Sequence, residues 1–172
     1  LLGTGTPGPN PNRCQSGVLV QIGDDALLVD AGRGTVVQLA RLGIDLARVG
    51  PVFITHHHAD HIGDLFDVIL TSALVGRTRP LPIYGPPGTT DIVRSLIDTV
   101  YARDIRTRLG ERDNQRRAGF PVTPGAEHIA SVEPRDVEPG VACSTDAWQA
   151  IADDVLHGEF PHDPTFDWRC YG

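Results

Sequence analysis

The sequence has no lysine and no methionine, and all fifteen of its basic residues are arginine. Alanine, arginine, glycine and proline are plentiful, so this reads as biased composition rather than as a site. Acidic residues outnumber basic ones and leave a net charge of −7 over 172 residues, which argues against a general nucleic-acid or membrane-surface binder. Only three cysteines occur, Cys14, Cys143 and Cys170, widely spaced and without a C-x-x-C pair. Neither a disulfide framework nor a cysteine zinc site is expected, and a reducing, cytoplasmic compartment is the default. There is no run of 18 apolar residues to cross a membrane and no signal-peptide pattern at the start. A G-x-S-x-G nucleophile motif and a G-K-[ST] phosphate loop are both missing.

What is present is ordinary globular material: 40% hydrophobic and 22% charged residues, enough for one α/β domain over residues 1–172. Leu1-Leu2 and Trp168-Arg169-Cys170-Tyr171-Gly172 both read as strand ends, so truncation at both ends is expected. Gly17 to Ile22 alternates as a strand, Gly23-Asp24-Asp25 turns, and Ala26 to Asp30 returns. Val36, Val37, Leu39, Ala40 and Leu42 are spaced for a helix that Gly43 stops. Val52-Phe53-Ile54 reads as a short buried strand. Ile62 to Ala73 reads as a second helix and Leu81 to Tyr84 as an edge-like strand. A third helix over Ile92 to Val100 would be capped by Thr89 or Thr90. Short strands are expected near His128–Val132, Val141–Cys143 and Trp148–His157. Hairpins first, then strands alternating with helices, indicate layered α/β architecture.

The chemistry concentrates in Thr55-His56-His57-His58-Ala59-Asp60-His61, between a buried strand and an amphipathic helix. Residues i and i+2 of an extended segment point to the same side, so the His56 and His58 imidazoles can converge while His57 points away. Asp60 and His61 follow where the chain turns into a helix and can reach a second ion. Imidazole nitrogen with carboxylate suits zinc, with manganese or iron as alternatives. Three adjacent histidines are also what a solvated loop or a tag remnant looks like, but neither sits between a buried strand and a helix.

H-x-H-x-D-H after an apolar strand resembles the metallo-β-lactamase superfamily. Leu2-Gly3-Thr4-Gly5, Arg13, Ser16-Gly17 and Leu27-Leu28-Val29-Asp30-Ala31-Gly32-Arg33-Gly34-Thr35 resemble its ribonuclease Z and arylsulfatase-like branch, over roughly residues 1–110. The resemblance implies an αββα sandwich, of which this chain carries the N-terminal half to two-thirds. It implies two zinc ions that activate a water to cleave a phosphodiester or a sulfate ester. His56 and His58 would bind the first ion together with a later His, and Asp60 and His61 the second. Asp60 would also take part in catalysis, and Asp30 and Thr55 would support the metal loop.

The later His must be His128, His157 or His162; His157, followed by Gly158, fits the family's placement, with His162 as the alternative. The family's further bridging Asp and last His have no matching segment here, so weak binding of the second ion and little activity of residues 1–172 by themselves are expected. Its tRNA enzymes usually read Gly-Glu-Gly-Thr-Gln where this chain has Gly32-Arg33-Gly34-Thr35-Val36. Small esters, phosphodiesters or RNA are the implied substrates, no membrane partner is implied, and a homodimer is among the assemblies the resemblance allows. Alternatives are a lactone or other ester hydrolase on the same site, a di-iron oxidoreductase and a non-catalytic metal-binding fragment.

Two further patterns compete for attention. Gly3-Thr4-Gly5-Thr6-Pro7-Gly8 matches the dinucleotide-binding fingerprint, but Pro7, Pro9 and Pro11 forbid the helix that motif must open. Arg103, Arg106, Arg108, Arg112, Arg116 and Arg117 could face phosphate. Asp104, Glu111 and Asp113 among them favour a solvated helix end and loop.

Overall fold

Two antiparallel strands, β1 (Val18–Ile22) and β2 (Asp25–Val29), open the fold and pair in register from Val18 opposite Val29 to Ile22 opposite Asp25. Gly23 turns between them with φ 57°, a conformation glycine adopts without steric cost. The structure is a computed structural model that describes residues 1–122, 126–157 and 169–172. The Gly3–Gly8 segment forms bridges to Gly17 and Gln15 rather than a helix, which disposes of the dinucleotide motif.

The chain then alternates helix and strand. α1 (Thr35–Arg41) leads to β3 (Val49–Phe53) through a single 3-10 turn over Leu46–Arg48. α2 (Ala59–Ile62) and α3 (Leu65–Leu74) lead to β4 (Leu81–Gly85). α4 (Thr89–Ser95) runs through a π-helical turn, Leu96–Val100, into α5 (Ala102–Arg117). β5 (Val132–Asp136) completes a five-stranded sheet of order β1-β2-β3-β4-β5, parallel from β2 onward. β6 (Gly140–Ser144) and β7 (Gln149–Ala152) form a separate antiparallel hairpin.

Period-2 geometry gives the parallel strands two apolar faces. Leu28, Val52 and Ile83 are fully buried on one face against Leu39, Leu65, Ile69 and Val93 of the helices. Leu27, Val29, Phe53 and Tyr84 face the other way, toward Ala142, Ala150 and Ala152 of the hairpin, around a cavity of about 260 Å³. Trp148 ties the hairpin down: its Nε1–H donates to Asp25 at 2.8 Å and its ring meets Phe53 edge-on. Burying a side chain such as Leu28 contributes about 1.5–3 kcal/mol.

Four expectations need correction. β4 is not an edge strand, because β5 pairs along its free side. Gly88, at φ 98°, caps α4, and neither threonine does; Thr89 Oγ1 instead donates to the Pro86 carbonyl. Arg103 to Arg117 lies within one continuous helix rather than a helix end and loop. That helix is held by buried Ile105, an Arg108–Asp104 pair at 2.7 Å and an Arg112–Glu127 pair at 2.8 Å. His128 closes a 3-10 turn, Ala126–His128, so the strand expected at His128 begins only at Val132.

α1 has no capping side chain of its own. Asp64 supplies one from across the fold, accepting the backbone N–H groups of Gly34 at 2.8 Å and Val36 at 3.3 Å. Burial pushes the Asp64 carboxyl up, and those two donations work against burial. Asp64→Ala should lower stability by about 1 kcal/mol, the usual worth of a lost N-terminal cap. Urea unfolding checks this; an unchanged midpoint would show that the cap contributes nothing.

Candidate metal centre

The sequence from Thr55 to His61 follows the C-terminal end of β3, where the chain leaves the sheet and turns into α2. His58 is still extended, with φ −62° and ψ 146°, and directly precedes α2. This extended step sets His56 and His58 on the same side, with ring centroids 4.7 Å apart. His57 points the other way, its Nε2 2.8 Å from Thr89 Oγ1.

Three rings converge. His56 Nε2 lies 3.0 Å from His58 Nδ1, and His157 Nε2 lies 3.4 Å from the same His58 nitrogen. One nitrogen from each ring falls within 4.8 Å of the others, a spacing that can hold one metal ion. His157 comes from the segment after β7, so this meeting joins positions about a hundred residues apart in sequence. His128 sits away in its 3-10 turn, and His162 lies outside the described residues.

Asp60 and His61 stand beside this cluster. The His56 and His61 ring centroids are 3.9 Å apart, and His61 Nε2 lies 3.8 Å from Asp60 Oδ2. Asp60 Oδ1 is buried and has no hydrogen-bond partner among the described residues. A buried carboxylate oxygen without a donor is costly unless a cation meets it. The same applies to the imidazoles: a proton between two ring nitrogens satisfies one pair, whereas a cation satisfies three nitrogens together. The donor set therefore fits a divalent metal ion.

Beneath the cluster, Asp30 is a hub. It sits at φ 60°, a left-handed conformation that aspartate tolerates better than most residues. Its Oδ1 accepts from the backbone N–H of Thr55 at 2.9 Å and from Thr55 Oγ1 at 3.0 Å. Its Oδ2 accepts from Ser16 Oγ at 3.0 Å and lies 2.6 Å from His61 Nδ1. Thr55 Oγ1 also lies 3.0 Å from His56 Nδ1. These contacts assign a proton to His61 Nδ1 and turn its Nε2 toward Asp60.

The electrostatics agree with that assignment. Burial lowers the His56 pKa to about 4, helped by the neighbouring His61, His157 and His58, so His56 is neutral near pH 7 and can act as a ligand. Burial also disfavours charge on His61, but its hydrogen bond to Asp30 and the nearby carboxylates outweigh this and raise its pKa.

Backbone contacts lock the loop to the sheet. The Ala31 N–H donates to the His61 carbonyl at 2.7 Å, and the Ser16 N–H to the Asp60 carbonyl at 3.1 Å. Gly32 makes this closeness feasible, since a Cβ there would overlap the Asp60 carbonyl. The Ser16 hydroxyl, the Asp64 cap and the Tyr171 N–H that donates to the Thr55 carbonyl at 2.9 Å have no signature in local sequence patterning.

The family model of the anti-Pycsar protein Apyc1 matches residues 1–107. Ribonuclease Z of Mycobacterium avium (strain 104) is 43% identical over 112 residues, which covers 63% of this chain and 40% of that protein. The chain thus spans about 40% of the length of the curated relatives it matches. The crystal structure of the short form of human tRNase Z shares 34% identity with a TM-score of 0.53, over 58% of this chain and 38% of that one. The metallo-β-lactamase fold protein YhfI from Bacillus subtilis is 20% identical with a TM-score of 0.63, over 99% of this chain and 53% of that one. The last similarity concerns the fold alone.

Proposed function

We propose a metal-dependent phosphodiester hydrolase, proceeding from the fact that this chain belongs to the metallo-β-lactamase superfamily and, through residues 1–107, to the family of the anti-Pycsar protein Apyc1. The observation that carries the reading is the meeting of His56, His58 and His157 within 4.8 Å, beside a buried Asp60 oxygen that has no hydrogen-bond partner among the described residues. His56, His58 and His157 would hold one divalent ion, and Asp60 and His61 a second. When bound, such ions would lower the pKa of bound water to about 7 and offset the negative charge that grows during phosphodiester cleavage.

The protein's own residues position that chemistry. Asp30 holds the proton on His61 Nδ1, and Thr55 orients His56, so both rings offer Nε2 to the centre. Asp60, the proposed catalytic carboxylate, has one oxygen without a donor among the described residues; it would hold the second ion and accept a hydrogen bond from attacking water. Ribonuclease Z likeness over the matched segment favours phosphodiester over sulfate ester or lactone as the scissile group. Zinc is the proposed ion, from the nitrogen-rich donor set.

The test is metal removal. Hydrolysis of bis-p-nitrophenyl phosphate by the protein should disappear on dialysis against EDTA and return on addition of zinc. Elemental analysis of the protein as isolated should show zinc. Turnover that survives the chelator, or hydrolysis of aryl sulfate in preference to the phosphodiester, would overturn the reading.

A further inference from the structure

At the opposite ends of the parallel strands from the histidine cluster, the segment after α3 carries Arg77 into the fold. Arg77 is 3% exposed, yet its Nε and Nη2 are enclosed without a hydrogen-bond partner among the described residues. These two nitrogens are the donors along one edge of the guanidinium, the fork that matches two oxygens of a single oxyanion. Gly50, at φ 126°, packs close beside it: a Cβ there would meet Leu81 Cδ1 at 2.6 Å and Nη2 at 3.4 Å.

The surroundings deepen the imbalance. A cavity of about 380 Å³ is lined by Arg48, Arg77, Arg79, Asp24 and Asp25 together with backbone of the loop. Neither of its aspartates pairs with Arg77 or Arg79 among the described residues. Asp25 accepts from Trp148, Asp24 pairs with Arg48 at 3.6 Å, and nearby Asp45 caps the Leu46–Arg48 turn. Arg79 reaches the Arg48 carbonyl at 3.4 Å and has no carboxylate partner among the described residues. Burial and the neighbouring Arg79 together depress the Arg77 pKa to about 10, against the opposing pull of Asp45. Two guanidinium groups beside one cavity, one of them buried with two nitrogens unmet among the described residues, are costly without an anion.

We propose that this cavity binds a single tetrahedral oxyanion of the phosphate class between Arg77 and Arg79, as free phosphate or as the phosphate group of a small monoester. The site lies away from the histidine cluster and does not depend on the proposed hydrolysis.

Calorimetric titration of the protein with inorganic phosphate, and separately with glycerol 3-phosphate, tests it at constant ionic strength in chloride. Phosphate binding should weaken at least 10-fold in Arg77→Gln and in Arg79→Ala, and persist in His56→Ala. Arg79 is exposed, so Arg79→Ala keeps the test valid even where Arg77→Gln does not fold. Binding by both probes supports the site, and tighter binding of the monoester assigns the second source. No binding of either probe, binding unchanged in Arg79→Ala, or binding abolished by His56→Ala would each overturn the proposal.

Discussion

Alanine in place of His56 is expected to cut affinity for the first metal ion by more than 100-fold, beyond the 10–100-fold typical of losing a supporting contact. His56 is the most central ring of the cluster, within 4.7 Å of His58, 4.5 Å of His157 and 3.9 Å of His61, centroid to centroid. Its removal leaves two imidazoles where a tetrahedral site needs three protein ligands and an open position. Phosphodiesterase activity should fall with it. Zinc titration against a competing chelator, with circular dichroism as a fold check, gives the result. An affinity within a few-fold of wild type would remove His56 from the ligand set, and with it the proposed centre.

Asp30→Asn is the second change of large expected effect. It keeps the size of the side chain, and asparagine tolerates the same left-handed backbone, so the φ of 60° adds no strain. What changes is the chemistry of one oxygen. Both carboxylate oxygens face donors: Thr55 on one side, Ser16 and the His61 ring on the other. An amide NH₂ in either orientation confronts a donor and strips His61 of its proton acceptor or Thr55 of its anchor. A 10–100-fold loss of metal affinity is expected, with about 1–3 kcal/mol of stability lost through the unsatisfied buried groups. Metal titration and urea unfolding measure the two effects separately. If stability fell while affinity stayed unchanged, Asp30 would be a structural residue with no hold on the metal loop.

Much of the fold was legible because it is written in short-range pattern. The alternation of Val18, Val20 and Ile22, the turn at Gly23 and the helical spacing of Leu65, Phe66, Ile69 and Ala73 each depend on neighbours within a few residues. The misread elements failed for one common reason. Whether Leu81–Tyr84 is an edge or a central strand depends on β5, about fifty residues later. The helix across Arg103–Arg117 looked too polar to persist. It is held at one face by Ile105 and at its flank by Glu127, from a turn beyond its own end. The cap of α4 falls to Gly88 because Asp136 of β5 accepts the N–H groups of Gly88 and Thr90, leaving the threonine hydroxyls other work.

The sequence by itself determined that His56 and His58 share a side and that Asp60 and His61 follow at the head of a helix, because extended and helical backbone impose those directions on adjacent residues. Tertiary structure decided which of three later histidines closes the cluster, that the Ser16 hydroxyl braces Asp30 beneath it, and that two nitrogens of Arg77 lie buried without a hydrogen-bond partner among the described residues. Those relations join residues fourteen to a hundred positions apart. Only the packing of sheet, helices and hairpin brings such distant groups within hydrogen-bonding reach.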